Sequence, residues 1–300
     1  MGSLTTSVRH TFHSLCTTAT KAMSTNAMLN PKEDVKEVVL KYLDGKDNGI
    51  VVLGLNRPTV CNALGKTITS QLHDAISSIR EDSKLRVLII RSLVPKVFCA
   101  GADLRERARM DTAEISKFVS FLRNMTYDIE TLPTPVISAI DGAALGGGLE
   151  IALATDIRVA ASEAKMGLVE TKWAIIPGAG GTQRLPRIIG SARAKELIYT
   201  ARIVDGEQAM KIGLVNEVVP QNKSGDAAYQ AALTIAREIL PNGPIGVKMA
   251  KTAISKGLQM PITDGFEIEK QCYNTVVDSK DRIEGLAAFG TKRMPIYQGV

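Results

Sequence analysis

The stretch Val136-Ile137-Ser138-Ala139-Ile140-Asp141-Gly142-Ala143-Ala144-Leu145-Gly146-Gly147-Gly148-Leu149-Glu150 changes character along its length. Val136 to Ile140 is a short continuous apolar run, the pattern of a strand buried on both faces. From Gly148 to Ala154 the pattern is helical. Three consecutive glycines at this junction let the backbone approach a ligand without obstruction from a Cβ. Amides at a helix start point at whatever negative charge sits there, and Glu150 follows within the first helical turn. A tight strand–helix crossing that only small residues allow explains the glycines equally well at this stage.

Outward from this junction the alternation repeats. Val38 to Leu43 and Ile50 to Leu55 flank the polar turn Asp44 to Gly49, which predicts a hairpin. Ile68, Leu72, Ile76 and Ile79 fall on one helical face. Val87 to Ile90 reads as a strand, Ile115 to Leu132 as a helix and Ile157 to Ala160 as a strand. Strands alternating with helices predict α/β layering with parallel strands. From Asp226 the strands stop, and Ala227 to Ile239, Val247 to Lys256 and Gly265 to Val277 read as helices. The expected organisation is an N-terminal segment 1–35, an α/β core 36–225 and a helical segment 226–300.

Composition narrows the function. An apolar share of 45% builds a large core, and the aromatic share of 4% means that aliphatic residues fill it. No run reaches the roughly 18 apolar residues of a membrane span, so no membrane partner is expected. The formal charge of +6 suits an anionic partner without choosing one. Cys16, Cys61, Cys99 and Cys272 are scattered without metal-ligand spacing, which predicts free thiols and no metal site. Residues 1–32 carry Arg9, Lys21 and Lys32 among many Ser and Thr, with no acidic residue before Glu33. That composition predicts an organelle transit peptide. Met1-Gly2 with Thr6 also fits a myristoylation pattern.

Three segments could carry chemistry. One is the glycine run with Glu150. The second is Glu170-Thr171-Lys172-Trp173-Ala174-Ile175-Ile176-Pro177-Gly178-Ala179-Gly180-Gly181-Thr182, a carboxylate followed by apolar residues and a Pro/Gly loop. The third is Phe98-Cys99-Ala100-Gly101-Ala102-Asp103, whose small residues let the Ala100 amide donate to an oxyanion. Phosphate-loop and dinucleotide readings fail, because Val60 and Gln183 stand where small glycine-type positions are required. His10 and His13 lie in the N-terminal segment and His73 on a mixed helix, so His-based triads are excluded. Carboxylates and backbone amides remain as the tools of catalysis.

These residues bring a family into view. Asn56-Arg57-Pro58 with Asn62-Ala63-Leu64, then Phe98 to Leu104, Ala144 to Glu150, and Ile176 to Leu185 occur in the order seen in crotonases. The chain resembles that enoyl-CoA hydratase/isomerase family from about residue 37 onward. Met166 to Lys172 and Asn222 to Tyr229 resemble its methylglutaconyl-CoA-hydrating branch, also described as binding AU-rich RNA. The resemblance implies a spiral of ββα turns with C-terminal helices that mediate trimerisation, as a homotrimer or a dimer of trimers, in the mitochondrial matrix. It implies an acyl-CoA substrate and no separate cofactor, since coenzyme A arrives as part of the substrate.

Roles follow residue by residue. Glu150 and Glu170 match the two hydratase glutamates. Ala100 and Gly147 are expected to form the oxyanion hole. Gly101, Ala102, Asp103, Gly146 and Gly178 are expected along the substrate. Phe289 and Lys292 match positions that contact the CoA nucleotide, often of a neighbouring subunit. Thr59-Val60 departs from the basic residue many relatives carry there. Two glutamates favour hydration over isomerisation, because isomerases of the family keep the later one. The expected substrate is 3-methylglutaconyl-CoA, giving 3-hydroxy-3-methylglutaryl-CoA in leucine degradation. The alternative is a general short-chain enoyl-CoA hydratase of fatty-acid β-oxidation. A terminal carboxylate calls for a cation, for which Arg105, Arg107, Arg109 and Lys172 are candidates. Trp173 suits either a pocket wall or the core. RNA binding is the reading of another class. Leu64 to Arg86 mixes Lys66, Arg80, Lys84 and Arg86 with Asp74, Glu81 and Asp82, which argues against it.

Overall fold

A computed structural model describes residues 36–300. The expected transit segment, the myristoylation pattern, His10, His13 and Cys16 lie outside the described residues. The first two apolar runs form the expected hairpin, β1 (Val38–Tyr42) and β2 (Ile50–Leu55), paired antiparallel with Val38 opposite Leu55. Then β3 (Val87–Ser92), β5 (Val136–Ile140), β7 (Ile157–Ala161) and β9 (Glu217–Val219) add in parallel. The resulting six-stranded sheet has the order β1-β2-β3-β5-β7-β9.

Continuous apolar strands need cover on both faces, and both are covered. Leu88 and Ile90 of β3 join one cluster with Ile68, Leu72, Ile76 and Ile79 of α1 (Lys66–Arg80) and Met125 and Ile129 of α3 (Thr112–Glu130). Val87 and Ile89 point the other way, onto Ala228, Ala232 and Ala236 of α8 (Ala227–Ile239). The period of two along a strand sorts these residues between the faces. Thus α8 completes the core although it lies beyond residue 225.

A second sheet stands beside the first. It has the order β4-β6-β8, built from β4 (Val97–Cys99), β6 (Ala143–Leu145) and β8 (Met166–Gly167), all parallel. Three of the large-sheet strands each feed one small-sheet strand: β3 leads to β4, β5 to β6 and β7 to β8. This is the ββα spiral. After β6 comes α4 (Gly147–Leu153), which crosses the end of β4 so closely that a Cβ on Gly148 would strike the Cys99 carbonyl.

Three further helices, α5 (Gly181–Ile189), α6 (Ser191–Tyr199) and α7 (Gly206–Lys211), separate β8 from β9. Sequence periodicity did not delimit them. Past α8 come α9 (Pro244–Gly257), α10 (Ile262–Val277) and α11 (Lys280–Gly290). Lys251 fastens α9 to the core through Asp156 at 2.7 Å and the Thr134 carbonyl at 3.0 Å. Leu258, Ile262 and Phe289 are 83%, 72% and 85% exposed in the single chain.

Candidate active site

Parallel pairing of β4, β6 and β8 makes their carboxyl ends emerge at one edge. Each spiral turn therefore delivers its small-residue loop or glutamate to the same place. Residues 100–103 follow β4, Gly146 and Gly147 follow β6, and Glu170 follows β8 in a short 3-10 turn, Glu170–Trp173. All of them, with Glu150 and Gly178, line one cleft of about 2480 Å³.

Glu150 sits on the first turn of α4 and is 3% exposed. Its Oε1 accepts the amides of Ala179 at 2.8 Å and Gly181 at 2.7 Å. Burial raises its pKa, and the two amides oppose that rise. Glu170 lines the same cleft. Its Oε2 is buried and accepts no hydrogen bond among the described residues. Burial first, and then the Glu150 charge, push the Glu170 carboxyl up to about 7. The two carboxyls are thus near enough to feel one another, and one of them offers an unengaged oxygen.

The amides require a correction. The Ala100 N–H donates to the Cys61 carbonyl at 3.1 Å, so it cannot serve an oxyanion. Two residues on, the Ala102 N–H donates to no acceptor among the described residues, and neither does that of Gly147. Gly147 is the first residue of its helix, where amides lack intrahelical partners. Gly101 turns the chain at φ 92°, and a Cβ there would lie 2.7 Å from the Leu145 carbonyl. That turn brings the Ala102 nitrogen to within 4.0 Å of where a Cβ on Gly147 would stand. The two amides left open side by side at the cleft are therefore those of Ala102 and Gly147.

Buried carboxylates beside paired open amides suit chemistry at a carbonyl conjugated to a double bond. The comparisons agree. The Enoyl-CoA hydratase/isomerase family model matches residues 45–299. The chain belongs to the enoyl-CoA hydratase/isomerase family. The mitochondrial methylglutaconyl-CoA hydratase of Mus musculus is 55% identical over 263 residues, covering 88% of this chain and 84% of that protein. The human mitochondrial enoyl-CoA hydratase domain-containing protein 2 is 52% identical, covering 88% and 90%. A crystal structure of an enoyl-CoA hydratase from Bacillus anthracis superposes with a TM-score of 0.84 at 46% identity, covering 88% and 100%.

Within this enoyl-CoA hydratase family chain, the other expected residues divide. Gly101, Ala102, Gly146 and Gly178 line the cleft. Asp103 does too, but its carboxylate caps α2 (Leu104–Arg107) and pairs with Arg57 at 3.0 Å. That carboxylate holds the loop in place. Phe289 and Lys292 do not line the cleft of their own chain. Trp173 is 53% exposed and forms cleft wall. Of the four candidate cations, Arg105, Arg107 and Lys172 line the cleft and Arg109 does not.

Sequence reasoning missed Arg184. It donates to the Ala179 carbonyl at 3.0 Å and to Glu130 at 2.7 Å, bracing the loop whose amides hold Glu150. Its position inside the Ile176–Leu185 motif was the available signal. In the stretch weighed for RNA, Lys66 pairs with Glu114 and Arg80 with Asp128 on the helix, while past its end Lys84 is exposed and Arg86 donates to the Leu240 and Asn242 carbonyls.

Proposed function

We propose that this chain hydrates 3-methylglutaconyl-CoA to 3-hydroxy-3-methylglutaryl-CoA, a step of leucine degradation, in the mitochondrial matrix. The observation that carries the reading is the pairing of Glu150 and Glu170 in one cleft beside the open amides of Ala102 and Gly147. The names of the similar mitochondrial proteins support the substrate and the compartment.

The amides of Ala102 and Gly147 receive the thioester oxygen, on which enolate charge builds as water adds at C3. Such a donor contributes about 3 kcal/mol to the transition state. Glu150, whose Oε1 is held by two amides that oppose the rise burial causes, takes the proton of the attacking water. Glu170, with its pKa at about 7, holds a proton in about half of the molecules at neutral pH, and that protonated form gives it to C2. One C–O and one C–H bond form as the C2–C3 π bond is lost. Proton exchange through the product side restores both carboxyls.

The exposed apolar residues of α9, α10 and α11 support assembly into trimers or pairs of trimers. In that assembly Phe289 and Lys292 reach the CoA nucleotide bound to a neighbour.

The test is a kinetic comparison of 3-methylglutaconyl-CoA with crotonyl-CoA on purified protein. A higher kcat/KM on the former supports the proposal. Preference for crotonyl-CoA returns the chain to general β-oxidation, and isomerisation without hydration overturns the reaction type.

A further inference from the structure

The cleft has many cations on its wall, and most are spent inside the protein. Arg123 donates to the Gly178 carbonyl at 3.2 Å. Arg158 donates to the carbonyls of Leu214 and Thr155. Arg184 is held by Glu130 and Arg187 by Gln183. Arg107 differs. It is half-buried, it lines the cleft, and its guanidinium makes no hydrogen bond or ion pair with any described residue. Arg105 and Lys172 also line the cleft, but both are exposed to solvent.

The segment that carries Arg107 is pinned on two sides. Asp103 caps its start and pairs with Arg57 at 3.0 Å. Glu106 accepts the Lys66 amide at 3.1 Å. Arg107 lines the same cleft as Glu150 and Glu170, and its charge weakly opposes the rise in pKa of both. Partial burial of a guanidinium without an anion is unfavourable, and a bound carboxylate would offset that cost.

We infer that Arg107 is the specificity residue of the cleft and binds the terminal carboxylate of acyl groups that carry one. The inference rests on the hydratase reading above and deepens it. With the thioester oxygen on the amides and C3 between the glutamates, a carboxylate two bonds beyond C3 falls just past the pair. A planar guanidinium there can take both its oxygens.

The test uses two substrates of equal length, glutaconyl-CoA, which ends in a carboxylate, and 2-pentenoyl-CoA, which ends in a methyl group. Arg107→Met should lose at least about 30-fold in kcat/KM on glutaconyl-CoA, while changing by less than about 3-fold on pentenoyl-CoA. Activity on the neutral substrate certifies the fold. Arg107→Lys should recover part of the loss, and Arg105→Met and Lys172→Met should leave the ratio of the two substrates unchanged. Equal losses on both substrates would mean that Arg107 only tunes the glutamates, and would overturn the inference. So would an unchanged ratio in Arg107→Met, or a changed one in either control. A parent protein that hydrates neither substrate refutes the hydratase reading itself. One that hydrates both equally well leaves that reading standing and removes this one.

Discussion

Glu150 and Gly181, 31 residues apart, are joined by a 2.7 Å hydrogen bond from the amide to the carboxylate. The same oxygen takes the Ala179 amide. Glu150, the proposed base, is therefore also the peg on which the Pro/Gly loop hangs. These roles separate under substitution. Glu150→Gln keeps an oxygen for the two amides and should melt within about 3 °C of the parent. Glu150→Ala leaves two buried donors without an acceptor and should lose about 2–4 kcal/mol in denaturant unfolding.

The Glu170 carboxyl gives a pH signature. As the proton donor to C2 it must begin protonated, so kcat for hydration should fall as pH rises through about 7. Glu150→Gln removes the neighbouring like charge, and the limb in its residual activity should move to lower pH. Stability follows from the same shift. A carboxyl raised in the folded protein contributes stability that is complete below its unfolded pKa and lost as pH climbs through its folded one. Glu170→Gln is neutral throughout. It should melt above the parent at about pH 8, by about 2 °C or more, with the gap closing toward about pH 4. Thermal melts across pH check the sign.

Replacing single backbone amides by esters distinguishes Ala102 from Ala100. An ester at Ala102 removes the donor that faces the cleft and should lower kcat by about 100-fold with little loss of stability. An ester at Ala100 removes a hydrogen bond to Cys61. It should cost about 1 kcal/mol of stability and leave kcat nearly unchanged. Turnover and unfolding of the two proteins, made by hydroxy-acid incorporation, read the difference.

Arg184 acts at one remove, through the Ala179 carbonyl, Thr126 and Glu130. Arg184→Met should loosen the loop that orients Glu150 and lower kcat by about 10- to 100-fold, with KM for the thioester nearly unchanged. A rise in KM instead would assign Arg184 to substrate binding.

What the sequence disclosed follows the range of the physics involved. The large sheet was legible because Ile50 to Leu55, Val87 to Ile90 and Val136 to Ile140 are apolar without interruption. The α1 stripe was legible because Ile68, Leu72, Ile76 and Ile79 repeat at helical spacing. The small sheet was not, since β8 has two residues and β4 and β6 three each, too few for a period to register. The glutamates were found through motifs whose glycines are forced by close crossings, as at Gly148 over Cys99. The choice between Ala100 and Ala102 was not decidable locally. Both are alanines beside Gly101, and the difference lies in a carbonyl at Cys61, brought in by the fold. The pairing of the Asp103 carboxylate was hidden for a related reason: its partner Arg57 lies 46 residues away in sequence.

The most direct test is turnover of an enoyl-CoA by purified parent, Glu150→Gln and Glu170→Gln proteins, followed by loss of the conjugated thioester absorbance in ¹⁸O-labelled water. Both variants should fold and bind acyl-CoA, turn over about 100-fold or more slowly, and place ¹⁸O at C3 in whatever product they form. Near-parental turnover in either folded variant would contradict the pairing of Glu150 as base toward water with Glu170 as proton donor to C2.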